Sequence, residues 1–157
     1  MIQLFTELQE KKNVRSNLSA LRASLKEATE EQKAQAIEFV RGHEDLVFGF
    51  LQEEDAKTRK NAALLLGDLA VQNALQPLWK VYTREQTLFV KSAYLEAMKA
   101  LHAEEILSQL KDRLAELEGE PVTEENRKHR EAELRALRAI LIQYEGCLLY
   151  TSPSPRD

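Results

Sequence analysis

A chain of 157 residues with 43% apolar side chains is long and apolar enough to bury a core, which excludes an intrinsically disordered protein. Glycine and proline are scarce, at 5 and 4 residues, and aromatics make up only 6%, while the frequent Leu, Ala, Glu, Lys and Arg are the residues that lose least on entering a helix, so an all-α fold is expected. The formal net charge of -4 excludes a global positive field, and any contact with nucleic acid must come from a local patch.

The first helix with a clear period covers Asn13 to Ala28, with Leu18, Leu21 and Leu25 on one stripe. A second follows Thr29, where Thr29 and Gln32 have the spacing of a capping box, and it carries Ala36, Ile37 and Val40 before Gly42-His43 stops it. These two are expected to form a first helix pair. A second pair runs through Asp45 to Glu53, apolar at Leu46, Val47, Phe50 and Leu51, and then through DAKTRKNAALLLGDLA. Asp55 is the expected N-cap there, since its carboxylate accepts from free first-turn amides and suits the helix dipole.

A third pair starts at Asn73, with Pro77 tolerable in a first turn, and continues through TLFVKSAYLEAMKAL. The fourth begins near Ala103, with Leu107, Leu110, Leu114 and Leu117 on one stripe, and breaks at Gly119-Glu120-Pro121. Thr123 then caps a long last helix with Leu134, Leu137, Leu141 and Tyr144 in register. Extended backward, that stripe meets Arg127 and Arg130, so the first half of this helix is expected either to overhang the core or to meet acidic groups.

At Cys147 the helical period stops, and 147–157 reads CLLYTSPSPRD. Back-translated, the stretch is similar to the transposon-end adapter of sequencing-library preparation, and it is set aside as an artefactual tail. Cys147 is the only cysteine, so thiol chemistry, disulfides and cysteine metal sites are excluded from 1–146. An adapter fused in frame further implies that Gly146 is not a native end and that a C-terminal domain is missing. No apolar run approaches a bilayer span, and MIQLFTELQEKK is not a signal peptide. A cytoplasmic protein without a membrane partner is therefore expected.

Shifted by 32 residues (59 to 91), the second helices of pairs two and three align, with Arg59 on Lys91, Ala63 on Leu95, Leu66 on Met98 and Leu69 on Leu101. The segment Asp55 to Ala70 resembles the HEAT-repeat signature at Asp55, Arg59, Ala62, Ala63, Leu66 and Gly67. In the next copy Thr87 and Lys99 stand in the Asp and Gly positions. The resemblance implies a HEAT-like αα-repeat solenoid over 1–146, of about four helix pairs. In it small residues let helices approach, and the Asp and Arg tie turns to neighbouring repeats.

Three segments outside any generic HEAT pattern, RKNAALLLGDL, TLFVKSAYLEA and EENRKHREAELRAL, make 1–146 similar to the N-terminal part of a family from Gram-positive bacteria assigned as RNA methyltransferases. The resemblance implies a non-catalytic module, with the missing C-terminal domain, and RNA or another protein, as partners. A stand-alone protein-binding scaffold is the alternative. A solenoid enzyme of the alkylpurine-glycosylase type requires a basic groove lined by several aromatics, and the chain has one Trp.

Candidate chemistry is sparse. His43, His102 and His129 lack partners at ligand spacing, so no metal is expected. Glu53-Glu54-Asp55 and Glu104-Glu105 lie at helix starts, where the dipole accounts for them. No phosphate-binding glycine loop or supported nucleophile is present, so no cofactor and no catalytic residue is assigned. Trp79, Tyr82, Phe89 and Tyr94 have the spacing of a repeat core. Lys57, Arg59, Lys60 and Lys91 fall near the starts of equivalent second helices, which in HEAT arrays line the concave face. They are the candidate RNA- or partner-binding stripe, set against a solvated face with Arg59 held in an internal ion pair. Lys128, Arg135 and Arg138 are a weaker second candidate.

Overall fold

The computed structural model describes residues 1–145, and among these all regular structure is helical. The stretch 147–157 set aside above lies outside the described residues. The chain divides into two compact units, Met1–Leu101 and the segment from His102 onward.

The first unit holds α1 (Ile2–Gln9), α2 (Val14–Lys26), α3 (Glu30–Gly42), α4 (Glu44–Phe50), α5 (Ala56–Asp68), α6 (Leu75–Tyr82) and α7 (Leu88–Ala100). Helix α5 is its centre, packed on α2 to one side and, more extensively, on α7 to the other. Helices α1, α4 and α6 lie against α2, α5 and α7 respectively. The pairs α4–α5 and α6–α7 follow the expected order. The first pair needs correction in one respect: α2 makes its closest approach to α1 rather than to α3, whose own closest approach is to α4. Helix α1, left unassigned by sequence, is short and buries only Leu8 fully. Phe5 anchors it by stacking on Phe39 of α3, with ring centres 4.4 Å apart.

Local chemistry sets most boundaries. The Thr29 hydroxyl accepts from the Gln32 amide at 3.1 Å, and Gln32 Oε1 accepts from the Thr29 amide at 3.0 Å, closing the capping box of α3. His43 ends α3 and starts α4. It sits between the Phe39 carbonyl at 2.8 Å and the Gln9 amide nitrogen at 2.6 Å, a pairing that suits the Nδ1–H tautomer. Helix α5 ends in a Schellman turn, with the Val71 amide donating to the Leu66 carbonyl and the Ala70 amide to that of Gly67, both at 3.0 Å. Ala70 takes the left-handed conformation this turn needs, at φ 52°.

The core of this unit is Leu18, Leu21, Ala36, Val40, Phe50, Ala62, Ala63, Leu65, Leu66, Leu78, Tyr94, Leu95 and Met98, all buried. The residues expected to let helices stack, Ala63, Leu66 and Gly67, are in it.

The second unit holds α8 (Leu107–Gly119) and α9 (Arg127–Glu145), packed on each other. Leu110, Leu117, Leu134, Leu137, Ile140 and Leu141 form its interior. The arginines that interrupt the α9 stripe find partners. Arg130 donates to the Leu117 and Glu118 carbonyls at 3.0 and 3.3 Å, satisfying the C-terminal end of α8. Arg127 pairs with Glu124 at 2.9 Å. Glu133, buried on the same helix, meets Arg113 at 3.0 Å. Among the described residues no helix is long and apolar enough to cross a membrane.

Candidate functional site

The start of α5 organises the polar chemistry of the first unit. Asp55 is extended, at φ -71° and ψ 117°, and its Oδ2 accepts from the Thr58 amide at 2.9 Å and the Thr58 hydroxyl at 2.8 Å. The hydroxyl bond from Thr58 is the main reason the Asp55 carboxyl lies below its ordinary pKa, with the charges of Arg15 and Arg59 acting the same way.

One turn on, Arg59 points inward. Its Nε and Nη2 donate to the two oxygens of Glu85 at 3.0 and 2.9 Å, and Nη1 donates to the Glu53 and Glu54 carbonyls at 2.8 Å each. This fork joins the turn before α5 to the loop before α7. Glu85 also accepts from the Thr87 amide at 3.2 Å and the Tyr94 hydroxyl at 3.1 Å. Burial pushes the Glu85 carboxyl up, but the hydrogen bonds from Arg59 and Thr87 outweigh it, so the net shift is downward. Tyr94, fully buried beside Glu85, is shifted upward, by burial first and the carboxylate second. Among the described residues no buried side-chain polar atom lacks a partner, so this cluster is satisfied within the fold.

Lys57 and Lys60 face the other way. They lie with Arg15, Ser16, Ser19 and Asn61 along a groove of about 590 Å³ between the first halves of α2 and α5. Neither lysine has an ion-pair partner among the described residues. Arg15 touches Asp55 at 3.4 Å, with both side chains about half exposed at 53% and 46%, a geometry in which an ion pair contributes little.

The expected stripe is therefore divided: Lys57 and Lys60 share a groove, Arg59 is held by Glu85, and Lys91 Nζ lies 5.5 Å from the Tyr82 ring centre. Sequence reasoning missed Arg15, Ser16 and Ser19. The polar side of α2 was visible as the complement of Leu18, Leu21 and Leu25, but its apposition to α5 was not.

Comparison with family models, with curated proteins and with solved structures finds no match for this chain.

Of the four aromatics expected in the core, Tyr82 and Tyr94 are buried, but Phe89 is 44% exposed and Trp79 is half-buried. Trp79 leans on Tyr82, with ring centres 5.3 Å apart, and with Phe48, Leu51, Pro77 and Val81 lines a second groove of about 620 Å³. Three of the four positions followed helical spacing inward or part-way inward; Phe89, in the first turn of α7, faces out. In the second unit Arg138 pairs with Glu118 at 2.9 Å, while Lys128 and Arg135 are exposed. No group of three or more His, Cys, Asp or Glu side chains that could hold a metal occurs among the described residues.

Proposed function

We propose that this chain is a non-catalytic HEAT-like interaction module, the N-terminal part of a larger cytoplasmic RNA methyltransferase, which holds RNA for the catalytic domain. What supports the repeat assignment most is the Arg59 fork. It clamps the turn before one inner helix to the loop before the next, the role that the HEAT signature implies for this arginine. The succession of α2, α5 and α7, each backed by an outer helix, agrees with a stacked array.

Such a module acts by rigid presentation of a surface rather than by bond making. The polar cluster around Glu85 is consumed in holding the fold, and the cations of the α2–α5 groove are left for a partner. That division of labour supports the RNA-holding reading.

The test is to read the gene in intact DNA across codon 146. An in-frame methyltransferase domain is the expected result. A stop codon within a few positions would remove the parent-enzyme reading and leave a stand-alone protein-binding scaffold. That second reading is favoured by the half-open apolar groove around Trp79 and Phe48.

A further inference from the structure

We infer that the groove between α2 and α5 grips the phosphodiester backbone of an RNA strand through Arg15, Lys57 and Lys60, without reading its bases; this rests on the proposal that the chain holds RNA.

The three cations converge from two helices that are forty residues apart in sequence (15 to 55 at the Arg15–Asp55 contact). Their neighbours in the groove, Ser16, Ser19 and Asn61, add hydroxyl and amide groups. Among the described residues no aromatic side chain lines it, so they offer no platform on which a base could stack. A ligand with repeated negative charge and no need of stacking matches this lining.

The charge balance points the same way. The chain carries a net charge of -4, yet among the described residues the carboxylate in contact with this set is Asp55 alone, and its Oδ2 is committed to Thr58. Arg59, in the same turn as Lys57 and Lys60, is drawn inward by Glu85. The fold thus uses one cation of this turn for itself and leaves two in water. Adjacent unpaired lysines repel, and a phosphate between them removes that repulsion while releasing counterions. The loose Arg15–Asp55 contact is readily exchanged for a phosphate oxygen.

Three phosphate contacts give a defined salt response. For a single strand the slope of log K against log salt is about -2, so affinity falls roughly fifteen- to twentyfold between 50 and 200 mM salt. The experiment is fluorescence anisotropy of the full chain with labelled oligouridylate and oligoadenylate over that range, with circular dichroism checking that each variant folds. The expected results are similar affinities for the two oligomers, a slope near -2, and a slope near zero with at least about tenfold weaker binding at low salt in Arg15→Ala/Lys57→Ala/Lys60→Ala. Lys57→Arg/Lys60→Arg should keep the affinity.

A control variant, Lys26→Ala/Lys99→Ala, removes charge from exposed positions elsewhere in the same unit. Equal weakening by that control overturns the groove, as does unchanged binding in the triple variant; in either case RNA binding itself survives. No binding of either oligomer at low salt overturns the RNA-holding proposal together with the groove. Equal binding of polyglutamate of matched charge overturns the assignment to phosphate.

Discussion

Gly67 of α5 lies so close to α7 that a Cβ at this position would stand 3.0 Å from the Ala97 Cα and 3.3 Å from its Cβ. The nearest obstacle is backbone, which cannot swing aside as a side chain can. Packing of α5 on α7 therefore depends on the missing methyl group.

Gly67→Ala sets two effects against each other. Helix propensity favours alanine by about 1 kcal/mol, but overpacking a fixed contact costs about 1–3 kcal/mol. Because the contact is backbone on backbone, overpacking wins and urea unfolding should show a net loss. Gly49→Ala is the internal control: nothing lies within 4 Å of a Cβ there, so the same substitution should stabilise by roughly 0.5–1 kcal/mol. Equal signs for the two variants would mean that the approach of α5 to α7 is looser than described.

The end of the same helix carries the opposite mismatch. Ala70 occupies the left-handed position of the Schellman turn at φ 52°, where glycine is the usual residue. Relief of the Cβ penalty is worth about 1–2 kcal/mol, and the greater freedom of glycine in the unfolded chain takes back about 0.4–1 kcal/mol. Ala70→Gly should thus raise the unfolding midpoint, by the equivalent of about 0.5–1 kcal/mol. A lowered midpoint in a thermal melt would contradict the left-handed assignment.

These two positions show what a sequence can and cannot reveal. The caps at Thr29 and Asp55 were legible because all their partners lie within three residues. The stop at Gly42-His43 and the helices α2 to α9 follow from period and breakers in the same local way. The role of α1 was not legible, since its anchor is Phe39, far along the chain, and its own burial rests on Leu8. With α1 unassigned, α2 was paired with its next neighbour α3. The groove was half visible for the same reason: Lys57 and Lys60 are on one helix, and Arg15 joins them only once α2 is known to lie beside α5. The alternatives for Arg59, surface contact or internal ion pair, differ only in whether Glu85 is within reach, which no spacing rule gives.

The Arg59–Glu85 fork should dominate the stability of this region. Their side chains are only 17% and 6% exposed, so Arg59→Ala leaves a buried carboxylate without its counter-charge, still held by the Thr87 amide and the Tyr94 hydroxyl, and takes the guanidinium donor from two carbonyls. A loss of about 2–4 kcal/mol is expected, below the full figure for a buried pair because the arginine keeps some contact with water. Arg59→Met/Glu85→Leu should recover part of it, and a double variant less stable than Arg59→Ala would show that Glu85 has a further role. The pH dependence carries the same signature. The folded Glu85 pKa lies below the ordinary value of 4.5, so the stability it contributes is present above that value and is lost as pH falls below it. Tyr94 is shifted upward from 10.0, so its contribution is present below that value and is lost as pH rises past it. In the double variant the acid-side loss measured by chemical denaturation should shrink.

Asp55 separates folding from binding. Its carboxylate caps α5 through Thr58, and it also faces Arg15 at the edge of the groove. Asparagine caps a helix about as well as aspartate, because the side-chain oxygen that accepts from the first-turn amide is retained. Asp55→Asn should therefore leave the thermal midpoint close to that of the parent while removing the negative charge that competes for Arg15. Affinity for oligouridylate should rise about two- to threefold at 50 mM salt, and the gain should vanish at high salt, where exposed charges are screened. Asp55→Ala should give the same gain in affinity but a lower midpoint, since the cap is lost with the charge. An affinity unchanged in both variants would place the RNA away from Arg15. A gain in only one of them would tie the effect to the α5 cap rather than to charge.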